Sequence, residues 1–273
     1  MYKLKQAIAD NDLLSAGLWL AYRFSTGEKF DVAHYQSLLS GWVSQAKVTA
    51  NIVEPDEAAF GRFITFFYVD LAFSGDEKHY FSCQYNLLNQ VIDYRTGIPV
   101  SLAIIFQSLA QGLGFDVQGV NFPGHFLLRY QVSPNRSLYI DPLNGSFLSP
   151  RDLEQFYFSI LSEIDDEKMP QEALQPAGCD ESVMRLLHNL KASYINEKEF
   201  TKALLAVELL VGLSPDDPYE RRDRGFLLHQ LDCTQVAIAD YQYFIRRCPK
   251  DPANQLLEAQ IRQLVEHPPV VLH

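Results

Sequence analysis

The chain has 273 residues, of which 23 are basic and 34 are acidic, and its formal net charge is −11 at pH 7. Because nucleic acids and anionic membrane surfaces both attract basic patches, this balance argues against nucleic acid and membrane as partners. Hydrophobic residues make up 47% and aromatic residues 12%, which excludes a largely disordered chain and predicts a sizeable core. The length favours two domains.

Four cysteines, Cys83, Cys179, Cys233 and Cys248, show no CxxC spacing. Reduced thiols in a cytoplasmic protein are therefore the simplest interpretation. No His or Cys pair has the spacing of metal ligands, so we expect no metal and no other cofactor. The N-terminus lacks the apolar run of a signal peptide, and no stretch approaches the roughly 20 apolar residues of a membrane span. These features predict a cytoplasmic location.

The first 95 residues are predicted to be mostly helical, because their apolar residues recur at helical spacing. Helices are expected from Leu13, around Tyr35, after Asp56 and over Asn86–Tyr94. The aromatic residues of the third segment are interpreted as core.

The central region combines one apolar helix with three strands. The helix is expected to begin near Pro99, which suits a first helical turn, and to run to about Gly112. Since it is apolar on all sides, it should be buried on all sides. Strands follow over Phe115–Val120, His125–Val132 and Leu138–Asp141, separated by turns. A helix followed by an antiparallel meander predicts an α+β fold.

An acidic segment, residues 162–182, holds two prolines and a glycine and is the best linker candidate. It would join a first domain over residues 1–161 to a second over residues 183–273.

The second domain is predicted to be all-α and repetitive. Ser214-Pro-Asp-Asp-Pro218 recurs 34 residues later as Cys248-Pro-Lys-Asp-Pro252. A period of 34 residues is typical of tetratricopeptide repeats. Two repeats and a final helix over Ala253–Glu266 would bury a stack that neither repeat could bury alone.

Three motifs lie in and after the central helix: Gly97-Ile-Pro-Val-Ser, Gly124-His125-Phe-Leu-Leu-Arg and Tyr139-Ile-Asp141-Pro. In this order they resemble the transglutaminase-like superfamily, with its papain-like core. Its members carry a nucleophilic Cys at the start of a central helix, then a His and an Asp on neighbouring strands. The whole chain resembles the bacterial SirB-type family, in which tetratricopeptide repeats follow such a domain. The resemblance implies that His125 is the base and that Asp141 orients it.

The nucleophile departs from this pattern. A gapless comparison puts Pro99 in the Cys position, and Ser101 follows two residues later. Residues two apart on a helix point about 200° apart, so we expect Ser101 to lie beyond hydrogen-bond reach of His125 and to bond local backbone. His125 and Asp141 should be hydrogen-bonded. Cys83 lies outside the motif and is interpreted as an ordinary half-buried cysteine.

Two functions from different classes stay open. The first is a non-catalytic, degenerate transglutaminase-like protein that binds a protein or peptide; the resemblance implies a role in regulating virulence or invasion gene expression. The second is an active amide or ester hydrolase or acyltransferase with Ser101 as nucleophile, His125 as base and Asp141 as orienting residue.

The repeats favour the first function, because the inner helices of such stacks line a groove that binds peptides or proteins. The predicted groove residues are Arg185, His188, Ile195, Tyr219, Arg222, Phe226 and His229. Arg221, Arg222 and Arg224 form either a receptor for an acidic segment or a solvated helix face.

Overall fold

The computed structural model describes residues 1–25, 30–76, 82–160 and 168–266. By its internal contacts the chain divides into two compact units, one of Tyr2–Leu186 and the other of Met1 with the chain from Leu187 onward. The expected boundaries at residues 161 and 183 stay a prediction, since residues 162–167 of the expected linker, like residues 267–273, lie outside the described part. Within the described ranges, no helix is long and apolar enough to cross a membrane.

The first unit begins with helices that aspartates cap. The carboxylates of Asp12, Asp31 and Asp56 accept hydrogen bonds from backbone N–H groups in the first turns that follow them. A five-residue π-helix, Phe66–Asp70, continues α4, and a short 3₁₀-helix covers Cys83–Tyr85. The α-helices are α1 (Tyr2–Ala9), α2 (Leu13–Phe24), α3 (Val32–Thr49), α4 (Glu57–Thr65) and α5 (Leu88–Tyr94).

The predicted central helix is confirmed as α6, Pro99–Gly112. Every residue from Pro99 to Phe106 is buried, as an all-round apolar pattern requires. The aromatic side chains of α4 pack against it and the sheet: Phe63 lies 4.7 Å from Phe106 between ring centroids, and Phe60 stacks at 3.9 Å on Tyr130. These aromatics are core, as expected.

The predicted three-stranded meander is confirmed, with two corrections: its second strand begins two residues after His125, and a fourth strand, which was not predicted, follows. Four antiparallel strands pair in sequence order: β3 (Val117–Val120), β4 (Leu127–Ser133), β5 (Arg136–Ile140) and β6 (Phe147–Leu148). Two residues of β1 (Ser74–Gly75) pair in parallel with two of β2 (Thr96–Gly97), which the sequence did not indicate.

Helix α7, Pro150–Ile160, follows the sheet and buries Leu153 and Tyr157 against residues of β3 and the turn after it. Met169, Ala173 and Leu174, from the described part of the acidic segment, pack on the same cluster. This part of the segment is therefore attached to the first unit despite its linker-like composition.

Helical hairpins follow, and their geometry repeats. Both ends of α11 lie 34 residues after the corresponding ends of α9. The paired positions Ala203 and Ala237 are both fully buried, which fits the period read from the sequence. The helices are α8 (Cys179–Asn196), α9 (Phe200–Leu213), α10 (Pro218–Gln230), α11 (Thr234–Arg247) and α12 (Asn254–Glu266).

Candidate functional site

The site is built at one end of the β4–β5 pair. Leu128 of β4 pairs with Ile140 of β5. His125 lies two residues before β4, and Asp141 directly follows β5, so antiparallel pairing brings their side chains together. Nε2 of His125 lies 3.1 Å from Oδ1 of Asp141, so the expected hydrogen bond is present.

A tight turn presents His125. Its backbone N–H donates to the carbonyl of Phe122, and Gly124 adopts φ +67°. A Cβ at Gly124 would lie 2.3 Å from Cδ1 of Ile160. Both the left-handed backbone and the contact with α7 therefore require glycine before His125.

The carboxylate of Asp141 is held from two sides. Oδ1 accepts the backbone N–H of Leu143 at 2.9 Å as well as the contact with His125. The backbone carbonyl of Asp141 accepts the N–H of Gly145, which closes the turn. Asp141 is only 7% exposed. A carboxylate held this way fixes the orientation of the imidazole through Nε2, and Nδ1 is the ring nitrogen that Asp141 does not engage.

Tyr68 supports the turn that follows Asp141, and the sequence did not indicate this role. Its hydroxyl donates to the carbonyl of Pro142 at 2.8 Å, and its ring occupies the space that a Cβ on Gly145 would need. Burial, and then the charge of Asp141, raise the pKa of Tyr68, so it stays a neutral donor. Tyr68 lies in the π-helix, a distortion frequent at functional sites.

Helix α7 lies beside the imidazole. The ring centroids of His125 and Phe156 are 5.7 Å apart, and Ile160 covers Gly124. The His125 side chain is 18% exposed. One edge of the His125 ring is therefore accessible to solvent, and apolar side chains of α7 lie beside it.

Ser101 is not part of this pair. It is fully buried. Its hydroxyl donates to the carbonyl of Tyr85 at 2.6 Å and accepts the backbone N–H of Ile98 at 3.1 Å. Over the described residues, no hydrogen bond joins Ser101 to His125. The local backbone bonding expected for Ser101 is therefore what the structure shows.

Two further positions bear on a nucleophile. Pro99 is the first residue of α6, where its missing N–H costs nothing, and a proline ring has no nucleophilic atom. Cys83 is half-buried in the short 3₁₀-helix whose Tyr85 carbonyl accepts from Ser101.

In the repeats, His188 and Arg222 are held by neighbouring carboxylates. His188 Nε2 lies 3.0 Å from Oε1 of Glu220, and Lys191 Nζ lies 2.8 Å from its Oε2. Arg222 pairs with Asp223. Burial alone would raise the pKa of Glu220, but the hydrogen bonds from His188 and Lys191 outweigh it and lower this pKa.

The other predicted groove residues lie in varied surroundings. Arg185 donates to Asn121 at 3.2 Å, within the first unit rather than the repeats. Ile195 is half-buried, and the Nδ1 of His229 lies 3.5 Å from the hydroxyl of Tyr241. Tyr219 and Phe226 are exposed, at 47% and 37%.

The arginines of the cluster pair with two aspartates of the repeats. Arg221 and Arg224 both pair with Asp240, at 3.5 and 2.6 Å, and Arg222 with Asp223 at 2.8 Å. These arginines are thus already engaged by aspartates, which neither interpretation of the cluster anticipated.

Comparisons with known proteins agree with this architecture. The model of the transglutaminase-like superfamily matches residues 33–188, and a tetratricopeptide repeat model matches residues 190–262. A UPF0162 protein of Vibrio cholerae is 35% identical over 262 residues, 96% of each chain. The UPF0162 protein YchA of Escherichia coli is 34% identical over 85% of each chain, and protein SirB1 of Salmonella typhimurium 32% over 78%. No solved structure matches. The chain belongs to the SirB1 and YchA family, with a transglutaminase-like domain followed by tetratricopeptide repeats.

Proposed function

We propose that this protein is a non-catalytic member of the transglutaminase-like superfamily that works by binding a protein or peptide. The observation that carries the proposal is the state of Ser101, whose hydroxyl is fully buried and engaged by backbone. A serine nucleophile needs a base within hydrogen-bond reach, and among the residues that the structure describes none is hydrogen-bonded to Ser101. Pro99, at the start of α6, offers no replacement.

In this proposal the His125–Asp141 pair binds a peptide and catalyses no reaction. Asp141 holds the imidazole through Nε2, and Nδ1 makes no hydrogen bond to any residue that the structure describes. The edge of His125 is 18% exposed. When Nε2–H donates to Asp141, Nδ1 carries the lone pair and can accept a hydrogen bond from a peptide N–H group. Phe156 beside the ring would contact an apolar side chain of the same peptide.

The repeats supply the second binding surface. Tyr219 and Phe226 of α10, two of the predicted groove residues, are 47% and 37% exposed, and tyrosine is among the residues enriched as anchors in protein interfaces. We place the protein in the cytoplasm, where its cysteines stay reduced. The regulation of virulence or invasion genes would then be exerted through its partner.

The catalytic alternative is tested by reaction with a serine-directed fluorophosphonate. The intact protein and Ser101→Ala are expected to show the same absence of labelling. Labelling of the intact protein that disappears in Ser101→Ala would replace this proposal with the hydrolase or acyltransferase. A thiol nucleophile is tested by assaying hydrolysis of amide substrates by the intact protein, by the protein treated with iodoacetamide and by Cys83→Ala. We expect no hydrolysis in any of them. Hydrolysis by the intact protein that is lost both on treatment and in Cys83→Ala would overturn the non-catalytic proposal.

The binding function is tested by selecting peptides from a random library on the intact protein. Selected peptides should lose affinity for Tyr219→Ala or Phe226→Ala. Val236→Ala is the matched control, because Val236 is an equally exposed apolar residue on α11. Peptides that bind all three variants as well as the intact protein would contradict an aromatic groove on α10.

A further inference from the structure

A concave site lies in the first unit, beside the second half of α6. It is a cavity of about 190 Å³ between the start of α2, the second half of α6, β3 and the segment before α8. An engineered cavity of about 150 Å³ holds a molecule as large as benzene. This cavity therefore has room for a compact molecule larger than benzene.

The polar residues of α6 are concentrated at this cavity. From Pro99 to Ala110, only Gln107 and Ser108 are not buried, and both line it. Gln111 lies one turn after Gln107 on the same face. The polar side chains in the second half of α6, Gln107, Ser108 and Gln111, thus all line one concave surface.

The amide groups that line the cavity have bonding capacity to spare. Gln111 uses one N–H to donate to the carbonyl of Val117 at 3.2 Å. Gln107 and Gln118 make no side-chain hydrogen bond to any described residue. Each free carboxamide can donate and accept at once, so the wall is complementary to another amide.

The formal charge at the cavity favours a cationic ligand over an anionic one. Among its described lining residues, Asp12 alone carries a formal charge, and Oδ1 of Asp12 caps α2 at Ser15 N. The one carboxylate disfavours anions and accepts an ammonium group, whereas the carboxamides of Asn11 and of the three glutamines are neutral. Cys179, which lines the opposite side, is buried, and this burial with the charges of Asp180 and Asp12 raises its pKa to about 11. It is therefore a neutral thiol that adds no negative charge.

We propose that this cavity, lined by Gln107, Gln111, Gln118 and Asp12, is a binding site for a small carboxamide-bearing molecule with a positive charge. The ligand's amide groups pair with the glutamine carboxamides, and its ammonium group lies towards Asp12. Its lining residues all belong to the first unit and include neither His125 nor Asp141. The proposal does not depend on the function proposed for that pair and for the repeats.

The probe is L-glutaminamide, which carries two carboxamides and an ammonium group, and glutarate is the matched anion. Calorimetry on the intact protein at pH 6.5 should show saturable binding of L-glutaminamide and none of glutarate. Gln107→Leu and Gln118→Leu should each weaken binding about 5-fold, which corresponds to one hydrogen bond of about 1 kcal/mol. Gln263→Leu, at an exposed position of α12, should bind unchanged.

Three results would overturn the proposal. These are no saturable binding of L-glutaminamide at millimolar concentration, equal binding of glutarate, and unchanged affinity in both Gln107→Leu and Gln118→Leu. The unfolding midpoint of each variant is measured alongside binding. If a leucine variant does not fold, Gln107→Glu takes its place. The added negative charge of Gln107→Glu should strengthen binding of the cationic probe.

Discussion

His125 and Asp141 are hydrogen-bonded at 3.1 Å, as two members of a Cys–His–Asp arrangement would be. The superfamily resemblance puts Pro99 in the place of the nucleophile. The first turn of a helix stabilises a thiolate through its unpaired N–H groups and dipole. We therefore predict that a cysteine at position 99 would complete the arrangement.

Pro99→Cys is expected to create a reactive thiol. Because position 99 is buried, the measurement is the pKa of the new thiol, followed by the ultraviolet absorbance of its thiolate, and not its access to a reagent. This pKa should lie about one unit or more below that of the thiol in Ser101→Cys, whose side chain is directed to the Tyr85 carbonyl and not to His125. His125→Ala in the Pro99→Cys background should raise it. Equal thiol pKa values in folded Pro99→Cys and Ser101→Cys would show that position 99 does not face His125.

Tyr68 is expected to stabilise the Asp141 turn through its hydrogen bond to Pro142. Tyr68→Phe leaves a buried carbonyl without its donor, which should lower the free energy of unfolding by about 1–3 kcal/mol in urea denaturation. Tyr94→Phe is the control, because Tyr94 is 70% exposed, and its change should stay within about 0.5 kcal/mol. Equal losses in the two variants would remove Tyr68 from the support of the turn.

On the scale of whole elements, α7 and the turn before β4 fit each other through Gly124. The turn needs a left-handed residue with no side chain, and Ile160 occupies the space beside it. Helix α3 offers the opposite case. Gly41 lies exposed within this helix and has nothing within 4 Å of an added Cβ.

Gly124→Ala and Gly41→Ala should therefore change stability in opposite directions. We expect Gly124→Ala to lose about 1–3 kcal/mol from strain and the clash with Ile160. Gly41→Ala should gain about 0.5–1 kcal/mol from the lower backbone entropy of alanine in the unfolded chain. Denaturant midpoints measure both. A tolerated Gly124→Ala would mean that α7 can move away from the His125 turn.

Considered as a whole, the molecule keeps buried charges in its repeat unit, and these couple its stability to pH. Glu220 is 5% exposed and paired with Lys191 and His188, and its pKa in the folded protein is lowered below 4.5. A lowered pKa stabilises the folded state above the unfolded pKa, and this stability is lost as the pH falls through the folded value.

Glu220→Gln should consequently be less stable than the intact protein at pH 7, with a difference that narrows as the pH falls below about 4.5. Unfolding free energies across this range measure the effect. Glu258→Gln, an exposed change on α12, should show a small difference that does not vary with pH. A constant difference for Glu220→Gln would contradict the lowered pKa.

Local patterns predicted most of the fold, and tertiary contacts account for what they missed. The apolar run after Pro99 and the alternation after His125 were sufficient to predict α6 and the meander. Tyr68 was not identified because it lies 74 residues from Pro142, which it supports, and an aromatic run looks the same whether its hydroxyl is used or not. The partners of Arg221 and Arg224 were missed for a similar reason, since Asp240 lies on the next helix.

The hairpin origin of the His125–Asp141 pair has a consequence for how the site changes through evolution. The two residues are 16 positions apart, and isolated hairpins form in about 1–10 μs. The geometry of the pair therefore depends on pairing between neighbouring strands, whereas alignment with a nucleophile depends on how α6 meets the hairpin. If position 99 has the nucleophile's place, as the resemblance implies, a substitution there removes the chemistry and leaves the pair unaltered. An intact His–Asp pair is then not by itself evidence of catalysis.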